Sequence, residues 1–231
     1  MTTLPKRFFP VIHCVSPFTK QGTGHALLNT QIAFRGGADG VFLIGHNMPY
    51  TEVLYIYEQV RKQFFARWIG INLLDVSAAD DWPKLRAIAQ REKVNALWMD
   101  SLPEACRAMS QTDAELFGGV AFKYRDSDLM GEGLFMACQN ALNYVDTVTT
   151  SGDKTGSPPD VAKVQAMREA IRPHDSLALA SGVSVENVAL FKPYVDTFLV
   201  ASSITERRAD RGGQEYLVQE RVTALAAAIH S

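Results

Sequence analysis

The feature that most constrains this chain is an alternation. Eight short runs rich in β-branched and aromatic residues recur along its 231 residues, at 10–15, 40–44, 68–73, 96–99, 119–122, 145–149, 177–180 and 197–200. Most are apolar nearly throughout, as parallel strands covered on both faces must be. Between them lie segments of helical periodicity. Val53, Tyr57, Val60 and Phe64 share one face; so do Trp82, Leu85 and Ile88; so do Val161, Val164, Met167 and Ile171; Val218, Val222, Leu225 and Ile229 close the chain. Weaker helical segments fall at 27–34, 103–109 and 134–142, the last after a long polar stretch at 124–133. Eight strand-then-helix units point to one domain, 1–231, folded as a single (β/α)₈ TIM barrel, with an open doubly wound sheet as the rival.

Composition closes off other classes. Apolar residues make up 47% and charged residues 21%, enough for a continuous core and too balanced for disorder. A formal net charge of −2 provides no basic field for nucleic acid. No apolar run approaches the roughly 20 residues needed to span a bilayer, and residues 1–10 do not read as a secretory signal. Cys14, Cys106 and Cys138 form neither a disulfide framework nor a metal clamp, so a reducing, cytoplasmic setting is expected.

In such a barrel the chemistry sits at the carboxyl ends of the strands. Ser181-Gly182-Val183-Ser184 follows the seventh run, and Ser202-Ser203-Ile204-Thr205-Glu206 follows the eighth. Ser184 reads as a helix N-cap, and Ser203 with Glu206 has capping-box spacing. Two helix N-termini converging there would hold an anion, so a phosphorylated small molecule is the expected ligand. The stretch Thr150-Ser151-Gly152-Asp153-Lys154-Thr155-Gly156 reads as a lid over it, preceding a helix that Asp160 can cap. It is no Walker loop, because no Gly-Lys-Ser/Thr closes it, and no cofactor is expected.

The remaining rim residues carry the candidate reaction. Lys123, read as ending the fifth strand, would face the mouth as a cation, base or nucleophile. Asp100, ending the fourth, would serve as acid, base or counter-ion, and Asn72 would orient a substrate through its amide. His13 and His46 end the first two strands. With Asp100 they offer an alternative, a divalent metal site for a lyase or hydrolase, although no metal ligand is assigned.

The segment 150–160 with its Thr-Gly-x-Pro-Pro-Asp ending, followed by Ser181-Gly182-Val183 and Glu186-Asn187, resembles the BtpA family. Val11-Ile12-His13, the run 35–41, Asn72 and Lys123 are similar to that family's pattern as well. The resemblance implies a barrel of the ribulose-phosphate-binding group with a phosphate site. It also brings in a non-catalytic reading, since the family is known for a factor needed for stable accumulation of photosystem I. Two stretches at the mouth depart from the pattern, Gly45-His46-Asn47 and Ala121-Phe122-Lys123-Tyr124. Homo-oligomers are common among such barrels, but no interface is apparent in the sequence.

Overall fold

The computed structural model describes residues 4–74, 82–100, 113–124 and 126–231. Eight parallel strands close on themselves in sequence order: β1 (Arg7–Cys14), β2 (Gly40–Gly45), β3 (Trp68–Asn72), β4 (Ala96–Met99), β5 (Glu115–Gly119), β6 (Thr147–Thr150), β7 (Ser176–Ala180) and β8 (Thr197–Val200), with β8 pairing back onto β1. The architecture is the (β/α)₈ barrel. Around it run α1 (Gly22–Arg35), α2 (Tyr50–Gln63), α3 (Trp82–Glu92), α4 (Gly131–Ala141), α5 (Val161–Ala170), the single-turn α6 (Val188–Phe191) and α7 (Gln219–His230). The helix expected at 103–109 lies outside the described residues, as do Asp75, Ser101 and Cys106.

Strand alternation sorts the side chains into two cores. Phe8, Ile12, Val41, Leu43, Leu177 and Leu179 face outward and pack under the helices. Phe9, Val11, Phe42, Ile44, Ala96, Trp98, Phe117, Ala178 and Leu199 fill the barrel axis. The Phe9 and Trp68 rings stack at 4.2 Å, and Phe42 meets both Phe9 and Phe117 edge-on. The same alternation carries His13, His46 and Ala201 to the inward side at the carboxyl ends.

The opposite end is closed by charge. Arg7 donates to both oxygens of Glu115 at 2.8 and 2.6 Å and to Thr197 Oγ1 at 3.2 Å, while Thr147 adds a bond to Glu115. The guanidinium also lies over the Phe9 and Phe117 rings.

Two sequence expectations are corrected. The fifth strand is Glu115–Gly119, not 119–122, so Lys123 does not end it. The apolar Val120-Ala121-Phe122 run continues past the strand because it roofs the barrel: Phe122 is buried against Trp98, and Ala121 turns the chain with a positive φ of 48°. The second concerns residue 205 onward. No helix starts at Ser203; a 3₁₀ turn at Ser202–Ile204 leads into an antiparallel hairpin, β9 (Thr205–Arg208) and β10 (Gln214–Leu217). Asp160 does cap α5, accepting from the Ala162 amide at 2.9 Å.

Candidate active site at the barrel mouth

A cavity of about 340 Å³ opens at the carboxyl ends of the strands. Of the candidates, His13, Lys123, Thr155, Ser181, Gly182, Ser202 and Ser203 line it, together with His46 and Trp98. Thr150, Gly152, Lys154, Asn72 and Asp100 do not.

The corner between β7 and β8 is built differently from the sequence expectation. The helix after β7 begins at Val188 and has one turn, with Ser184 accepting at its carbonyl from the Asn187 and Val188 amides rather than capping with its hydroxyl. Free amides are present nonetheless, supplied by turns. Among the described residues, the N–H groups of Gly182, Val183, Ser202 and Ser203 donate to no backbone carbonyl. Ser203 Oγ spends its proton on Val183 O at 2.6 Å, which ties the two turns together. Successive unpaired amides in a concave turn favour an anion by the same electrostatics as a helix terminus.

Gly182 owes its identity to the neighbouring loop more than to a ligand. Its φ is +69°, and a Cβ there would lie 2.0 Å from Pro158 N. Gly152 is pressed against Ser157 O in the same way, at 2.2 Å. Gly152 lets the loop after β6 fold tightly on itself and Gly182 lets it lie against the turn after β7, and Thr155 and Gly156 of that loop line the cavity. Lys154 is exposed and does not line the cavity.

Lys123 is positioned by its backbone: its amide donates to Ser151 Oγ at 2.7 Å, and its ammonium stands 5.4 Å from the Phe122 ring centroid. Behind it sits a residue that sequence reading missed. Lys163 on α5 is buried, and its Nζ donates to the carbonyls of Ala121, Ser127 and Ser151 at 2.6, 2.8 and 2.9 Å. It joins the loops after β5 and β6. Desolvation lowers its pKa to about 8, against partial support from Asp153 and Asp128. Thr150 serves the same junction, its hydroxyl donating to Ala121 O at 3.2 Å.

Asn72 is buried and donates to Asp100 Oδ1 at 3.0 Å. Neither lines the cavity. His46 lines it directly, and desolvation first, then the charges of His13 and Lys123, lower its pKa; it is a neutral imidazole at neutral pH. Its ring meets that of His13 edge-on at 5.0 Å. Among the described residues no group of three or more His, Cys, Asp or Glu side chains could hold a metal ion, so His13, His46 and Asp100 do not come together as one. Cys14, next to His13, is buried and its thiol is pushed up to about 12, out of range for a nucleophile.

Three further features came without a sequence signal. Trp98 forms part of the cavity floor, and its indole N–H is buried with no acceptor among the described residues. Glu215 on β10 reaches His13, Oε2 to Nδ1 at 3.2 Å. The β10 strand is held to α1 by two buried polar side chains one turn apart: His25 Nε2 bonds to Glu215 O at 2.7 Å, and Asn29 Oδ1 accepts from the Leu217 amide at 2.6 Å.

No helix among the described residues is long and apolar enough to cross a membrane. No protein-family model matches the chain, and no curated protein matches it by sequence. Solved structures do. A thiamine phosphate pyrophosphorylase from Pyrococcus furiosus superimposes with a TM-score of 0.65 over 96% of this chain and 95% of its own, at 11% identity. Phosphoribosyl anthranilate isomerase from Thermotoga maritima does so with a TM-score of 0.65 over 97% and 98%, at 14% identity. At such identities the likeness is one of fold, and the fold it shows is the TIM barrel.

Proposed function

We propose that this protein is an enzyme acting on a small phosphorylated molecule of sugar-phosphate size, held at the barrel mouth. The observation that carries the reading is the set of unpaired turn amides at Gly182, Val183, Ser202 and Ser203 on one wall of a cavity that also contains Lys123. A phosphate placed there would receive N–H donors from the turns after two strands and a cation from the loop after β5, the arrangement in which an anion outcompetes water. The cavity, about 340 Å³, lies near the lower end of small-molecule pockets and suits a phosphosugar better than a whole nucleotide.

The structural neighbours support the reading by their names, one a phosphate pyrophosphorylase and one a phosphoribosyl isomerase, on the same scaffold. The BtpA-like motif supports it from the sequence side: its Pro158 meets Gly182, and its Thr155-Gly156 lines the cavity. Lys123 pairs with the ligand's negative charge, and the histidines on the far wall have the reach to move a proton.

A thermal-shift panel of inorganic phosphate and sugar phosphates tests this. Phosphorylated compounds should raise the melting temperature where their unphosphorylated counterparts do not, and Lys123→Ala should weaken binding by roughly tenfold. Equal response to phosphorylated and plain sugars would sink the anion site.

A further inference from the structure

Resting on that reading of the mouth, the geometry points to Glu215 as a positioning residue that fixes His13 as the proton carrier of the site, which makes the β9–β10 hairpin part of the active site.

The argument begins with His13. It lines the cavity with one ring nitrogen committed elsewhere: Nδ1 faces Glu215 Oε2 at 3.2 Å. A carboxylate accepts and cannot donate, so Nδ1 must carry the proton, and Nε2 is left with its lone pair for the cavity. A base oriented by a carboxylate on its rear nitrogen is the general arrangement by which an imidazole takes a proton and has the resulting charge compensated. Nε2 would accept a proton from an O–H or acidified C–H of the bound molecule and return it to the product. No electrons change hands, and no further reactant is required.

Glu215 is itself held. Its Oε1 faces Arg207 Nε at 3.5 Å across the hairpin. Its backbone is anchored through the His25 bond, and the next strand residue but one through Asn29. Burial lowers the pKa of His25, so it is neutral, and the carbonyl contact requires its Nε2 to hold the proton. A helix facing a barrel has little reason to bury a His and an Asn at i and i+4 unless they fix something; here they fix the strand that carries Glu215.

The test is the ring tautomer of His13, read by long-range ¹H–¹⁵N correlation in the free, full-length protein. Wild type should show the Nδ1–H form. Glu215→Leu should shift the Nδ1–H to Nε2–H ratio by about tenfold toward Nε2–H, the loss of one charge-assisted hydrogen bond. Glu215→Gln, whose amide oxygen still accepts, should restore most of the ratio, which a merely structural residue would not do. An Nε2–H tautomer in wild type overturns the proposal without any variant, and so does an unchanged ratio in a folded Glu215→Leu. Inorganic phosphate binding is measured on the same samples. If phosphate fails to bind wild type while the Nδ1–H tautomer stands, the anion-site reading falls and the His13–Glu215 pairing survives it.

Discussion

The two ends of the barrel handle charge in opposite ways. At the amino ends of the strands, Arg7, Glu115, Thr147 and Thr197 satisfy one another and the aromatic floor covers them. At the carboxyl ends, the amides of Gly182, Val183, Ser202 and Ser203 donate to no backbone carbonyl among the described residues, and these residues line a cavity together with Lys123. The saturated end contributes stability; the unsaturated end keeps its hydrogen-bonding capacity for something else. The mouth stays open because Lys163 clamps its loops from behind, so that the rim need not collapse to satisfy itself.

Substitutions sharpen this contrast in order of expected effect on stability. Lys163→Met strips the Ser127 and Ser151 carbonyls of their donor and leaves Ala121 O only Thr150, and should cost about 3 kcal/mol, with phosphate binding lost as the loops separate. Its pH signature has a definite sign. The folded-state pKa of about 8 lies below the ordinary value of 10.5, so between those values the unfolded chain holds more protons and wild-type stability gains with rising pH. Urea unfolding should therefore show the wild type pulling further ahead of Lys163→Met from pH 8 to 10; a constant gap would mean that the lysine is not desolvated.

Glu115→Ala at the closed end should cost about 2 kcal/mol, discounted because both partners of the pair are about a quarter exposed, and should leave phosphate affinity unchanged. If affinity falls with it, the two ends are not independent. Gly182→Ala should cost about 1 kcal/mol or more, through its positive φ and the Pro158 clash, and weaken phosphate binding by tenfold or more. Lys123→Met should move stability by less than about 0.5 kcal/mol while still lowering affinity, the signature of a residue that serves the ligand alone.

The barrel was legible because alternation and apolar runs are local properties. Six of the eight strands begin or end where β-branched and aromatic runs change to polar residues, and α2, α5 and α7 follow their stripes. What misled was equally local. Val120-Ala121-Phe122 looks like a strand because it is apolar, yet it is apolar as a roof. The true strand opens with Glu115, whose charge is explained only by Arg7, 108 residues away. Thr205-Glu206-Arg207-Arg208 imitates a helix start and is an exposed strand paired only with β10. After β7 and β8, turns stand where helix ends were expected. Lys163 and Glu215 had no signal at all, since their partners lie 42 and 202 residues distant.

The packed rings of Phe9, Trp68, Phe42 and Phe117 have a consequence for traffic. They stopper the barrel axis, so a molecule bound at the mouth would have to leave on the side from which it entered. For the ligand proposed above, exchange would then be one in, one out, and an analogue lodged on the Trp98 floor would compete head-on with any newcomer.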